Sequence, residues 1–175
     1  MPRKTREGHR GPAAAPAFVF GMGVGGFVDG IVLHQLLQWH HMVSHTQAGN
    51  TKTVTGLELN TLADGLFHSA MWVLVVVAAL LAIRARRQQR LAAGWRFHAG
   101  LVLAGWGVFN VVEGLVNHQL LGVHHVRDDL GAPLAWDVGF LALSAALAGA
   151  GMLLHRSAVR LAKQAGVPQD SKYAD

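Results

Sequence analysis

Four apolar blocks of about twenty residues run through the sequence, and their length restricts the chain to a membrane fold. The blocks extend approximately from Phe18 to Trp39, Leu62 to Ile83, His98 to Leu121 and Pro133 to His155. An α-helix rises about 1.5 Å per residue, so roughly 20 apolar residues cross the hydrocarbon core of a bilayer. We therefore predict an all-α membrane protein with four transmembrane helices that contact the lipid bilayer.

Basic residues alternate in number across the segments that flank these blocks. From the N-terminal tail through the three loops to the C-terminal tail, the segments carry four, one, five, one and four Lys or Arg residues. Because Lys and Arg accumulate on the cytoplasmic side of membrane proteins, this pattern predicts the orientation. We expect a protein of the bacterial cytoplasmic membrane, with both termini and the middle loop in the cytoplasm and the histidine-rich loops outside.

The remaining composition narrows the partners and the chemistry. The formal net charge of +5 comes from these short basic clusters, which form no recognition helix, so we expect no nucleic-acid partner. The chain has no cysteine, which excludes disulfides, thiolate metal sites and cysteine nucleophiles. The predicted domains are a basic cytoplasmic tail over residues 1–16, a four-helix transmembrane domain over 17–156 and a disordered cytoplasmic tail over 157–175.

The sequence repeats itself at an offset of 84 residues. Residues 28–43 read VDGIVLHQLLQWHHMV, and residues 112–127 read VEGLVNHQLLGVHHVR. The offset aligns acid with acid and histidine with histidine: Asp29 with Glu113, His34 with His118, and His40–His41 with His124–His125. We predict two helical hairpins, over about 17–83 and 98–156, related by a pseudo-two-fold axis along the membrane normal.

Acids and histidines of both halves fall in one layer, in the outer half of the membrane. An ionised side chain at the bilayer centre costs at least about 2.5–3.5 kcal/mol, so such residues face the bundle interior and mark function. Asp64 and His68 lie four residues apart near the start of the second helix, on one helix face. The candidate metal ligands are Asp29, His34, His40, His41, Asp64, His68, Glu113, His118, His124 and His125.

Imidazole and carboxylate without sulfur are the ligands of iron, zinc, copper(II) or manganese, so we expect bound metal ions, with iron, copper or zinc first. The expected inner ligands are Asp64, His68, His34 and His118, with Asp29 and Glu113 as ligands or proton acceptors. The paired histidines are expected to form an outer ligand or entry site, and they and His45 are expected to be exposed at the outer surface, where they suit copper or zinc handling. Outer contacts to the ligands are expected from Gln35, Asn110, Asn117 and Gln119.

Asp29 and His34 raise a geometric problem, because they lie about 140° apart on a straight helix and cannot easily bind one ion. Two metal ions, a distorted helix or an outer role for one residue would each resolve it.

"GMGVGG" from Gly21 fits a dinucleotide fingerprint, but it lies in an apolar block without a preceding strand. We interpret its Gly21/Gly25 and Gly26/Gly30 pairs as sites of close helix packing.

Several functions fit this pattern, and the sequence does not decide whether the chain is an enzyme. The first is a redox-active dinuclear oxidoreductase site, and the second is copper or zinc handling. A third is haem b, held between His34 and His118 for electron transfer. Proton conduction is a fourth, and a hydrogen-bonded polar core that only fixes helix packing is the alternative to all of them.

The combination GxGGFxDGIxLHxxLQWHHM, with the later DGxFH and EGxxxHxxLxxHHVR, resembles an uncharacterised bacterial family of small four-helix integral membrane proteins. The resemblance covers nearly the whole chain apart from its tails. It implies the four-span architecture and the ten candidate ligands as motif residues, but no activity. It also implies respiratory metal handling, with a respiratory oxidase or its assembly machinery as partner. A homo-oligomer is a further expectation.

Overall fold

The computed structural model describes residues 11–92 and 94–166. Four helices in this part of the chain are long and apolar enough to cross a membrane: Ala15–Leu36, Val54–Arg87, Trp95–Leu120 and Leu134–Gln164. The predicted all-α class with four transmembrane helices is therefore confirmed. The outer portions of both predicted tails, residues 1–10 and 167–175, lie outside the described residues.

Two of the four spans change helix type along their length. The elements are α1 (Ala15–Val28) with a first π segment (Asp29–Leu36), α2 (Val54–Arg87), α3 (Trp95–Glu113) with a second π segment (Gly114–Leu120), a short 3₁₀ turn (Asp128–Leu130) and α4 (Leu134–Gln164). Thr53 caps the start of α2, since its side chain accepts a hydrogen bond from the Gly56 amide. This helix therefore begins ahead of the expected Leu62, and α4 continues beyond the expected His155 into the predicted tail.

α1 and α3 form the central pair of the bundle, because they pack against each other while α2 packs on α1 and α4 packs on α3. Glycines allow the close approach of this central pair. A Cβ atom added at Gly21 would collide with the carbonyl oxygen of Val102, and one added at Gly105 would collide with that of Phe18. Gly21 and Gly25 both face α3, as expected from their spacing. The predicted hairpins, α1–α2 and α3–α4, thus meet through their first helices.

The π segments bring residues five positions apart onto one face. Their backbone bonds span five residues, as between the Leu37 amide and the Val32 oxygen at 2.8 Å, or the Leu121 amide and the Val116 oxygen at 2.8 Å. Asp29 begins the first of these segments, and His34 lies within it. The straight-helix expectation of about 140° between these two side chains therefore fails. Of the three resolutions considered, the helix distortion is the one that the backbone itself shows.

Two connections cover the π segments at one end of the bundle. We call this the loop end, formed by residues 37–53 and 121–133. The chain reverses after each π segment through a positive φ, 51° at Gln38 and 56° at Gly122. The connections then pair through their backbones, because the His45 amide donates to the Val123 oxygen at 3.0 Å and the Asp129 amide donates to the Trp39 oxygen at 3.1 Å. The two loops therefore form one cap.

Candidate metal centre

Six of the ten predicted ligands meet in one buried group beneath the loop end. We call this group the inner cluster: Asp29, His34, His40, Glu113, His118 and His124. His34 and His118 lie in the two π segments, and His40 and His124 lie in the two loops. Every member is at most 6% exposed, so the cluster is shielded from bulk solvent.

The first half contributes a carboxylate and two imidazoles. Asp29 Oδ2 lies 3.3 Å from His34 Nε2, and Asp29 Oδ1 lies 4.0 Å from His40 Nε2. Among the described residues, none forms a hydrogen bond to Asp29 Oδ2 or to either of these Nε2 atoms. These buried atoms therefore face one another without a protein partner.

The second half contributes the same types of side chain. Glu113 Oε1 lies 3.4 Å from His118 Nε2 and 2.8 Å from His124 Nε2. The same oxygen accepts a hydrogen bond from Asn117 Nδ2 at 3.3 Å, a contact of the kind expected for that asparagine. Glu113 Oε2 and His118 Nε2 are buried without a hydrogen-bond partner in the described part of the chain.

The two half-sets are in direct contact and form one centre. The His40 and His124 rings stack with their centroids 4.7 Å apart. One ligand atom from each of His34, His40 and His124 lies within 4.8 Å of the others, and the same holds for Glu113, His118 and His124. His124 thus belongs to both ligand groups.

The loop histidines have their tautomer fixed by carbonyl groups. His40 Nδ1 lies 3.1 Å from the Val126 oxygen, and His124 Nδ1 lies 3.0 Å from the Met42 oxygen. A carbonyl oxygen only accepts hydrogen bonds, so each Nδ1 carries the proton and donates it. The Nε2 lone pairs therefore point into the inner cluster. Burial, with His124 and His34 nearby, lowers the pKa of His40 well below its usual value, which keeps this imidazole in the neutral, metal-binding form at pH 7.

Aspartates hold the histidines of the π segments. His34 Nδ1 donates to Asp64 Oδ1 at 3.0 Å, and His118 Nδ1 lies 3.4 Å from Asp137 Oδ1. The hydrogen bond directs the Nε2 atom of His34 toward the inner cluster, whereas the contact between His118 and Asp137 is at ion-pair distance and forms no hydrogen bond. A carboxylate behind a ligating imidazole is the usual outer support of a metal site.

Asp64 was expected among the inner ligands, but its oxygens already accept four hydrogen bonds. Besides His34, it accepts from the Met42 amide at 2.9 Å, from His41 Nδ1 at 2.7 Å and from Gln35 Nε2 at 2.9 Å. The structure therefore places Asp64 around the inner cluster and not within it. Gln35 contacts the ligand support, as its expected outer position suggests.

Asp137 is a functional candidate that the set of predicted ligands omitted. It accepts hydrogen bonds from the Val126 amide at 2.9 Å, from Gln119 Nε2 at 3.2 Å and from His125 Nδ1. These contacts match those of Asp64. The signal was present in the sequence, because Asp137 and Asp64 both stand near the start of an expected apolar block, the fourth and the second.

The histidines differ in exposure and position from what the sequence predicted. His40 and His124 were expected at the exposed surface, and this was wrong, since they are 2% and 0% exposed beneath the paired loops. The His41 and His125 side chains stay partly exposed, at 16% and 20%. His68, expected as an inner ligand, lies against Gly30 and stacks on Phe27.

Comparison with known proteins gives a family match. A family model described as a predicted membrane protein, DUF2243, matches residues 16–158. This range includes most of each of the four apolar helices and every member of the inner cluster. No curated protein and no solved structure matches the chain.

Proposed function

We propose that this chain, which belongs to the DUF2243 family of predicted membrane proteins, is a membrane metalloprotein that binds two transition-metal ions in the inner cluster. In this proposal the loop end faces the extracytoplasmic side of a bacterial membrane, the orientation that the Lys and Arg distribution predicts. The proposal rests on the hydrogen-bond chemistry of the cluster.

One contact supports the proposal more than any other. His124 Nε2 lies 2.8 Å from Glu113 Oε1, while His124 Nδ1 donates its proton to a carbonyl group. The Nε2 atom of a neutral imidazole is then an acceptor, and so is the carboxylate. Two acceptors at this distance repel each other unless a cation lies between or beside them. A metal ion supplies that charge, and an extra proton is the competing source.

A polar core that only fixes helix packing explains the cluster less well. A buried polar atom without a partner costs about 1–3 kcal/mol, so packing networks normally satisfy all their members. Here the atoms that face the cluster interior lack partners among the described residues: Asp29 Oδ2, His34 Nε2, His40 Nε2, Glu113 Oε2 and His118 Nε2. The outward-facing Nδ1 atoms of three of the four histidines are bonded. Apart from His118 Nδ1, the cluster atoms that lack partners lie on the side where an ion would bind.

The ligand spacing supports two ions, one for each half. Donors at right angles about 2.1 Å from one ion lie about 3 Å apart. The distances from Glu113 to its two imidazoles, 2.8 and 3.4 Å, are close to this value, and those from Asp29 are 3.3 and 4.0 Å. Two imidazoles and one carboxylate per ion form the ligand set of non-haem iron enzymes. Each set leaves coordination positions open for an exogenous ligand.

An internal repeat is part of the proposal. Contacts in one half have counterparts 84 residues along the chain, since His40 contacts the Val126 oxygen and His124 contacts the Met42 oxygen. The positive φ angles at Gln38 and Gly122 have the same offset. These pairs support a duplicated hairpin that builds two equivalent metal sites.

Iron with a redox role is the preferred assignment, because three-ligand His/carboxylate sites bind iron and leave room for a reacting molecule. Metal handling is the second candidate function. It is favoured by histidines of the loop end that carry partly exposed side chains, His41, His45 and His125. A respiratory oxidase or its assembly machinery would then be the partner.

Haem b is disfavoured, because imidazole rings 4.6 and 4.9 Å apart fill the space that a porphyrin would need.

The test is one purification in mild detergent, with elemental analysis and an absorption spectrum on the same sample. We expect about two iron ions per chain and no Soret band, since a Soret band would establish haem. One ion per chain would contradict the two-ion form. If no metal binds, even after reconstitution with iron, copper or zinc, the metal proposal fails and proton transfer takes its place.

A further inference from the structure

We propose that His45 and His125, with Asp128 orienting His45, form a metal-capture site at the loop end, which takes up divalent transition-metal ions and transfers them to the inner cluster. This inference rests on the proposed function, because it supplies the route by which ions reach the buried centre. Its residues lie outside the inner cluster.

A groove at the loop end opens beside this site. The groove has a volume of about 560 Å³ and is lined by residues of both connections, including His41, His45, Lys52 and Asp128. His40 also lines it, although this side chain belongs to the inner cluster. The His40 side chain itself is fully buried, so the groove gives ions access to the loop end and stops short of the centre.

His45 is oriented as a metal ligand at the outer end of this groove. Its Nδ1 donates to Asp128 Oδ1 at 3.0 Å, and its side chain is 47% exposed. Asp128 is fixed in turn, because it accepts hydrogen bonds from Ser44 Oγ at 2.5 Å and from the His125 amide at 3.3 Å. A carboxylate on Nδ1 leaves Nε2 as the free donor atom, the same support that His34 receives from Asp64.

A line of imidazoles leads inward from His45. The centroids of the His45 and His125 rings are 4.6 Å apart, those of His125 and His118 are 6.2 Å apart, and those of His118 and His124 are 4.9 Å apart. His125 is held through its Nδ1 by Asp137, so its Nε2 is also free to bind. These short steps permit an ion to move by ligand exchange from the exposed pair to the Glu113 half of the inner cluster.

The test measures the rate of metal uptake by the full-length protein. Purified protein in detergent is stripped with a chelator, mixed with limiting Co²⁺, and followed by the visible absorption of the bound ion. The variant is His45→Ala, and the matched control is Gln47→Ala, an exposed residue of the same loop. His45 is half exposed, and an exposed ion pair contributes only about 0–1 kcal/mol, so the variant should fold.

We expect His45→Ala to slow Co²⁺ uptake by about tenfold, the size of effect that losing one ligand or its support has on metal binding. The final number of ions per chain should equal that of Gln47→Ala and of the natural sequence. Asp128→Asn should slow uptake in the same direction, because it removes the charge that orients His45.

Three outcomes would overturn the inference. Uptake by His45→Ala at the natural rate, with full final occupancy, would exclude the capture site while leaving the inner centre in place. A lower final occupancy in this variant would make His45 part of the centre or of its scaffold, and not a capture ligand. Failure of the natural sequence to bind Co²⁺, iron, copper or zinc would refute the proposed centre, and the capture site with it.

Discussion

Asp64 Oδ1 accepts a hydrogen bond from Nδ1 of His34 at 3.0 Å, and the two side chains are 2% and 0% exposed. The contact joins α2 to the first π segment, thirty positions apart in the sequence. It determines which ring nitrogen of His34 faces the inner cluster. The aspartate therefore acts on the proposed metal through the histidine and not by direct contact.

The first prediction concerns this positioning role. Asp64→Asn keeps the side-chain shape but replaces one accepting oxygen with a donating NH₂ group, so it cannot hold His34 and His41 in their present tautomers. We expect the affinity for metal to fall about 10- to 100-fold. Competitive titration against a chromophoric chelator measures this affinity.

The matched control is Glu58→Gln, which removes an exposed acid from the same helix. Its metal affinity should equal that of the natural sequence. Equal affinities for Asp64→Asn and Glu58→Gln would show that the aspartate has no influence on a metal ligand.

The second prediction tests the equivalence of the two halves. His34→Ala and His118→Ala each remove one imidazole from one three-ligand set. If each set holds its own ion, each variant should lose about one of two ions and keep the other. Elemental analysis of both purified variants gives the number of ions per chain. Loss of all metal in one variant and none in the other would contradict equivalent sites.

The third prediction concerns the central helix pair. Gly21→Ala places a methyl group where the Val102 carbonyl oxygen lies, so α1 and α3 have to separate. We expect a loss of roughly 1–3 kcal/mol in stability, the usual cost of overpacking. Thermal unfolding in detergent, followed by tryptophan fluorescence, measures the change.

Gly149→Ala on α4 is the control, because nothing lies within 4 Å of an added Cβ at this position. Its midpoint should be unchanged or higher, since alanine favours a helix over glycine by about 0.5–1 kcal/mol. Equal midpoints for the two variants would contradict the close packing of α1 on α3.

The fourth prediction tests the orientation. The natural sequence has no cysteine, so a single introduced cysteine is the only thiol. Thr51→Cys lies at the loop end and Gln88→Cys at the opposite end, and both positions are exposed. In intact cells a membrane-impermeant maleimide should label Thr51→Cys and should label Gln88→Cys only after lysis. The reverse pattern would invert the predicted topology.

The sequence sufficed for the four spans and for the buried acids and histidines within them, because apolar length and the cost of burying charge are local signals. It did not predict the π segments, since an apolar block has the same length and composition whether its helix is regular or locally widened. A signal was nevertheless present: an acid precedes a histidine by five residues in both halves, as Asp29 and His34 or Glu113 and His118. Five-residue spacing places two side chains together only in a π-helical segment.

The loops were the least predictable part of the site. The burial of His40 and His124 depends on hydrogen bonds between connections more than eighty positions apart, as between His40 and Val126. Such pairings leave no periodic pattern in the sequence. A polar loop was therefore interpreted as an exposed surface, while the structure folds it over the centre.

His40 and His124 each donate a hydrogen bond to the other hairpin, so neither hairpin alone can orient its own loop histidine. The carbonyl that sets the tautomer of His40 belongs to the second hairpin, and the one that sets His124 belongs to the first. The centre is thus an interface in chemical terms, assembled by docking, like the shared active site of an obligate dimer. A chain cut between Arg87 and Trp95 should regain it only when both fragments are produced in the same membrane.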